Sequence, residues 1–299
     1  MASLKSWIKA ARLRTLPLAL SSIALGGFIA APDQSFKLAV VLMAALTTLL
    51  LQVLSNFAND YGDFSKGTDD EQRIGPRRTV QSGEITASQM KTAMLIFSLL
   101  AFVSGLLMLF FVVKLPLLET GIFIVLGIAA IASAIKYTTG KNPYGYAGLG
   151  DLFVFLFFGL AAVCGTYFLS TLSWKYTILL PASAMGMLST GVLNLNNIRD
   201  FSNDKQKGKR TIAVKLGVEG AIVYHFLLVL LPFLLLSIYN LLENASWISY
   251  SFLLLLPLFL LDLNKIRQLK NTAALDPFLR KLALKTLLLT FVYGLGFIF

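Results

Sequence analysis

Two stretches of this sequence set oxygen-bearing side chains at helical spacing. In Asn56-Phe-Ala-Asn59-Asp60-Tyr-Gly-Asp63, the residues Asn56, Asn59, Asp60 and Asp63 fall at i, i+3, i+4 and i+7 and share one helical face. In Asn194-Leu-Asn196-Asn197-Ile-Arg199-Asp200-Phe-Ser-Asn-Asp204, the residues Asn196, Asp200 and Asp204 step by four. Carboxylates at the end of an apolar helix are costly there unless something cationic binds them. Basic segments follow each stretch: Gly75-Pro-Arg77-Arg78-Thr79 after the first and Gly208-Lys209-Arg210-Thr211 after the second. Mg2+ takes hard oxygen ligands and bridges carboxylates to phosphate. Arg and Lys take the remaining phosphate oxygens by charge-assisted hydrogen bonds. The ligand that suits both is a diphosphate held through Mg2+.

A solvated helix end followed by a polar loop would account for one such cluster. The same order, spacing and sequel occurring twice points to an internal duplication. Asp63-Phe-Ser aligns with Asp200-Phe-Ser, which sets Asn59 on Asn196 and Asp60 on Asn197. The chain then reads as one domain of residues 1–299, with pseudo-repeats of roughly 14–140 and 141–299.

The elements that must position these faces are apolar throughout. Hydrophobic residues make up 57% of the chain and charged ones 14%, which excludes an ordinary soluble domain and marks an integral membrane protein. Leu4, Trp7, Ile8 and Ala11 recur at helical spacing between Lys5, Lys9 and Arg12, predicting a short amphipathic helix on the membrane surface. Nine apolar spans follow: Leu16 to Ala31, Phe36 to Phe57, Met90 to Val113, Leu117 to Tyr137, Leu149 to Ser170, Tyr176 to Leu195, Val218 to Tyr239, Trp247 to Leu263 and Leu282 to Phe299. The fold class is an all-α polytopic membrane bundle.

The net charge of +11 is distributed as a topology signal. The N-terminal segment and the loops 58–89, 138–148, 196–217 and 264–281 hold almost all Lys and Arg, whereas the alternate loops hold only Lys37, Lys114 and Lys175. That bias puts the N-terminus and both Asn/Asp clusters in the cytoplasm and the C-terminus outside. The loop Lys141-Asn-Pro-Tyr144-Gly-Tyr146-Ala-Gly-Leu-Gly-Asp151 falls on the same side. No basic-aromatic interleaving suggests nucleic acid, and no obligate protein partner is implied. The lone His225 and lone Cys164 exclude imidazole or thiolate metal clusters and an internal disulfide. Arg199 either pairs with a neighbouring aspartate or touches substrate.

Asn56-x-x-Asn59-Asp60-x-x-Asp63 together with Asn197-x-Arg199-Asp200-x-x-x-Asp204 resembles the UbiA-type intramembrane aromatic prenyltransferases, and the resemblance covers essentially the whole chain. Within that family, Asn59-Asp-Tyr-Gly-Asp-Phe-Ser-Lys-Gly-Thr-Asp69, Arg73-Ile-Gly-Pro-Arg77-Arg78-Thr-Val-Gln81-Ser-Gly83, Pro143-Tyr-Gly-Tyr-Ala-Gly-Leu-Gly-Asp151 and Gly165-Thr-Tyr167 are most similar to the branch that prenylates 1,4-dihydroxy-2-naphthoate in menaquinone biosynthesis. Hydroxybenzoate-type relatives carry an acidic residue where this chain has Gly67, which leaves a role for Asp69 or Asp70 open. The resemblance implies a bundle around a central cavity in a prokaryotic plasma membrane, with a polyprenyl diphosphate and the naphthoate as substrates. It implies Mg2+ ligation by Asp60, Asp63, Asp200 and Asp204, supported by Asn56, Asn59 and Asn197. The leaving diphosphate would fall to Arg77, Arg78, Lys141 and Lys209. Tyr144, Tyr146 or Tyr167 would stabilise an allylic cation. The alternatives are the same chemistry on hydroxybenzoate or homogentisate, or a secondary transporter, whose internal repeats and broken helices look similar.

Overall fold

The computed structural model describes residues 2–68, 77–269 and 271–299. It is helical, with no strand among the described residues. A surface helix, α1 (Leu4–Ala11), starts at Ser3, whose side chain accepts from Ser6 N. It lays Trp7 edge-on against Phe57 at 5.6 Å. The bundle proper is α2 (Leu16–Ala30), α3 (Leu38–Ser65), α4 (Ala87–Val113), α5 (Leu117–Lys136), α6 (Gly150–Thr171) and α7 (Tyr176–Arg199). A short α8 (Phe201–Gln206) leads to α9 (Ile212–Leu242), α10 (Trp247–Gln268) and α11 (Asp276–Leu295).

All nine expected spans are present as helices. Eight stretches among the described residues are long and apolar enough to cross a membrane. The ninth, α11, is of similar length but carries Asp276, Arg280, Lys281 and Lys285, of which the half-buried Asp276 and Lys285 pair with Arg199 and Asp262. Outer faces are apolar: Leu117, Leu118, Ile122 and Val125 of α5 are all exposed, and in α5 only Thr120 is buried. That inversion fits lipid, which replaces water as the solvent of the outer face. The main core runs through α2, α7, α9, α10 and α11, with Leu188, Leu195, Val229, Phe259 and Leu289 buried in it.

Two features shape the interior. Residues Phe155–Cys164 of α6 form a wide π-turn, and this wall packs on α7 glycine to glycine. A Cβ on Gly159 would lie 2.7 Å from Gly186 Cα. The second is the crossing of α3 by the segment after α5. A Cβ on Gly62 would lie 2.7 Å from Thr138 Cβ and 2.8 Å from its carbonyl carbon. Thr138 Oγ1 donates to Ala58 O at 2.9 Å and to Asn59 Oδ1 at 3.3 Å, so this contact also fixes the Asn59 amide. Gly62→Ala is expected to destabilise the protein by about 1–3 kcal/mol through overpacking. Gly121→Ala, where nothing lies within 4 Å of the added Cβ, is expected to be neutral or slightly stabilising. Thermal unfolding in detergent compares the two.

Candidate active site

The helices enclose a cavity of about 460 Å3. Its apolar part is lined by Ile23, Ala44, Met108, Leu109, Phe123 and Phe158, and its polar end by Asn59, Asp63, Asn196, Asn197, Asp200 and Asp204. The two clusters thus meet at one end of the bundle. The α3 helix runs on to Ser65, beyond the apolar span, and so carries the first cluster as a rigid extension. The second straddles a break: α7 ends at Arg199, Asp200 has φ −91° and ψ 9°, and α8 resumes at Phe201. The i→i+4 bonding survives the break, Asp204 N donating to Asp200 O at 2.8 Å. That keeps Asp204 and Asn203 on the cavity side.

Asp63 is the junction. Its Oδ1 accepts from Tyr146 Oη at 2.9 Å, and its Oδ2 pairs with Arg78 Nη2 at 2.8 Å. Lys209 Nζ stands 3.5 Å from Asp63 and 3.7 Å from Asp204. A residue from each basic loop therefore lies on the carboxylate of the first cluster, and Lys209 spans both clusters. The loops hold each other: Arg210 N donates to Tyr146 O at 2.9 Å, and Lys209 Nζ lies 4.8 Å from the Tyr146 ring centroid. Arg78 also donates to Asn59 O. In the second cluster, Asp200 is held by Arg199, whose Nε and Nη2 reach its two oxygens at 2.9 and 2.7 Å.

Several expected site residues stand elsewhere. Asp60 is 1% exposed and accepts from Thr79 Oγ1 at 2.6 Å and Thr79 N at 3.2 Å. It does not line the cavity; successive helical residues are turned by about 100°, and Asp60 falls on the side that anchors the 79–80 turn. Arg77 is exposed and off the cavity, since in this non-helical stretch the next side chain, Arg78, turns inward. Lys141 is exposed and contributes its backbone carbonyl to Lys66. Tyr167 is 4% exposed and packed in the main core, away from the cavity. Asn56 lines the cavity with its amide nitrogen committed to Ala11 O and Thr15 Oγ1 at 2.8 and 3.0 Å. Asp69 and Asp70 lie outside the described residues.

Tyr144 does line the cavity, stacked on Phe153 with centroids 4.1 Å apart, and its hydroxyl donates to Ser133 O at 2.9 Å. Burial pushes its phenol above the ordinary range, so the ring stays neutral. Sequence reasoning passed over Tyr137, Asn203 and Arg280, all of which line the cavity. Asn203 alone had a signal, one residue before Asp204.

The sequence profile of the UbiA prenyltransferase family matches residues 19–289. The chain is 43% identical to the 1,4-dihydroxy-2-naphthoate octaprenyltransferase of Haemophilus influenzae across 98% of this chain and 96% of that protein. It is 39% identical to the Escherichia coli protein of the same name across 98% and 94%. Among solved structures, a UbiA homolog from Archaeoglobus fulgidus bound to GPP and Mg2+ matches with a TM-score of 0.70 at 15% identity, over 98% of this chain and 99% of that one. This protein belongs to the UbiA prenyltransferase family.

Proposed function

We propose that this chain moves a polyprenyl group from its diphosphate to 1,4-dihydroxy-2-naphthoate with loss of CO2, giving the demethylmenaquinol of menaquinone biosynthesis. The observation that carries the reading is the polar end of the cavity. Two carboxylate-and-amide faces and two inward cations, Arg78 and Lys209, open directly onto an apolar chamber. A diphosphate fits the first part and a prenyl chain the second. The naphthoate as acceptor rests on the relatives that carry that name along nearly their whole length.

The residues present suit Mg2+. All the donors at the polar end are oxygens, and Asn203 Oδ1 is buried with no hydrogen-bond partner, an acceptor awaiting a cation. Among the described residues no three Asp, Glu, His or Cys side chains stand close enough to hold an ion alone, so phosphate oxygens and water would complete the shell. Asn59, Asp63, Asn197, Asp200 and Asp204 are assigned as the holding groups, with Asn56 and Asn203 beside them. Bound Mg2+ would supply Lewis-acid stabilisation of the leaving diphosphate.

The chain's own residues do the rest. Arg78 and Lys209 leave Asp63 for phosphate oxygens as the donor enters. The prenyl C1–O bond breaks, and its electron pair leaves with diphosphate. The Tyr144 ring faces the allylic cation, and the apolar walls exclude the water that would quench it. The ring carbon then forms the new C–C bond. The charge of the cation and that of the carboxylate cancel as CO2 departs, so the sum needs no external base. The gathering of Lys and Arg in alternate loops supports a site at the cytoplasmic face with the C-terminus outside, in a membrane of the prokaryotic plasma-membrane kind.

Purified protein offered a long-chain prenyl diphosphate with Mg2+ tests the acceptor. Prenylated product from 1,4-dihydroxy-2-naphthoate and none from 4-hydroxybenzoate is expected. Product from hydroxybenzoate alone would overturn the assignment while leaving the diphosphate site standing.

A further inference from the structure

The cavity has a second polar group that the diphosphate leaves unused. Buried hydroxyls on these helices commonly bond back to the carbonyl four residues earlier. Ser21 does so to Pro17 at 2.7 Å, Thr190 to Gly186 at 2.8 Å and Thr286 to Leu282 at 2.9 Å. Ser22 and Ser189, 0% and 1% exposed, break the pattern, and neither Oγ has a hydrogen-bond partner. Both line the cavity, from α2 and α7, which pack against each other. An unpaired buried hydroxyl is costly, so two on one cavity wall call for a ligand or ordered water. Ser189 lies seven residues before Asn196 on the same stripe of α7, about 10 Å further into the bundle.

A cation completes the group. Arg280 lines the same cavity from α11, which packs against α2. It lies one helical turn beyond Asp276, the residue that joins Arg14 at 3.6 Å to Arg199 at 2.5 Å. Arg199 in turn holds Asp200. The Arg280 guanidinium is therefore close to the metal-binding end without being part of it, and it has no ion-pair or hydrogen-bond partner among the described residues. An excess of Arg at this face follows from membrane topology; an arginine directed along a cavity wall does not.

We propose that Arg280, Ser22 and Ser189 form the subsite for the aromatic acceptor. The guanidinium takes the ring carboxylate, and the serine hydroxyls take the two phenolic oxygens. This rests on the acceptor being a dihydroxynaphthoate, whose one carboxylate and two hydroxyls match one cation and two hydroxyls in kind. A carboxylate fixed at Arg280 sets the ring between the apolar chamber and the diphosphate, where the prenyl C1 arrives.

Titration calorimetry under anaerobic conditions, with no donor or metal, reads the subsite directly. Wild-type protein is expected to bind 1,4-dihydroxy-2-naphthoate at least about 10-fold more tightly than 1,4-dihydroxynaphthalene, which lacks the carboxylate. In Arg280→Gln, an exposed position where the fold tolerates change, the two ligands are expected to bind within twofold of each other. Ser22→Ala and Ser189→Ala are each expected to weaken both ligands about fivefold. In turnover, the acceptor KM should rise in all three variants with the donor KM unchanged. Retention of the carboxylate preference in Arg280→Gln, or equal loss of donor and acceptor affinity in the serine variants, would overturn the subsite. Failure of wild-type protein to bind either naphthalene compound would instead overturn the acceptor reading on which it stands.

Discussion

Asp63→Asn is expected to lower prenyl transfer by more than about 100-fold, the scale on which an oriented charge at a reacting centre acts. The carboxylate is 4% exposed and meets Arg78, Lys209 and the Tyr146 hydroxyl together. The amide would keep the shape and lose the charge. It would leave two cations over a neutral group in a buried place, which costs about 3–5 kcal/mol when the pair is well buried. A fall in unfolding temperature should therefore accompany the loss of activity. Asp60→Asn separates the two effects. Asp60 is as buried as Asp63 but bonds Thr79 and Val80, so its amide is expected to lose about 1 kcal/mol of stability while the folded protein keeps its turnover within about threefold. Equal losses of turnover from both variants would show that the helical face, rather than the cavity, decides function. Kinetics and unfolding measured on the same preparations distinguish these outcomes.

Arg199→Lys carries the second large effect. Arg199 is fully buried and forks onto both oxygens of Asp200, with further bonds to Asn196 Oδ1 at 2.9 Å and Asp276 Oδ1 at 2.5 Å. A lysine retains the charge but cannot make the planar fork. Asp200 would then lose its fixed orientation, and turnover is expected to fall about 10–100-fold, the scale on which orienting a proposed metal-holding carboxylate acts. Arg199→Met should be worse for folding, since it leaves the buried Asp200 carboxylate without its cation. Asp276 is partly exposed and recovers water, which softens its share. The acceptor KM should stay put in Arg199→Lys, because Asp276 separates it from Arg280. A changed acceptor KM with unchanged turnover would place Arg199 at the ring.

The polar end of the cavity was legible in the spacing of Asn59, Asp63, Asn197, Asp200 and Asp204, because helix periodicity carries side chains to a common face whatever the tertiary surroundings. The same periodicity misplaced Asp60. It stands one residue from Asn59, at the edge of the face, and only the packing of the Thr79 turn decides which way that edge looks. Apolar runs located the spans, yet α3 extends past its apolar run to Ser65, since the Asn/Asp stripe is helical too. Tyr146 and Tyr167 look alike in sequence, each beside glycine-rich turns or small residues. Tyr146 meets Asp63 only because the 144–147 segment docks on the loop carrying Lys209, 63 residues on; Tyr167 meets the core instead. Arg280, Ser22 and Ser189 come from three distant helices, and no local pattern relates them.

Both clusters are proposed to hold one diphosphate through divalent ions. Mn2+ substituted for Mg2+ and followed by electron paramagnetic resonance reads it most directly, on wild-type protein and on Asp63→Asn and Asp204→Asn. Tight Mn2+ binding is expected only when prenyl diphosphate is present, one ion per cluster, with one ion lost in each variant. Mn2+ binding that is independent of the diphosphate, or that neither variant changes, would contradict it.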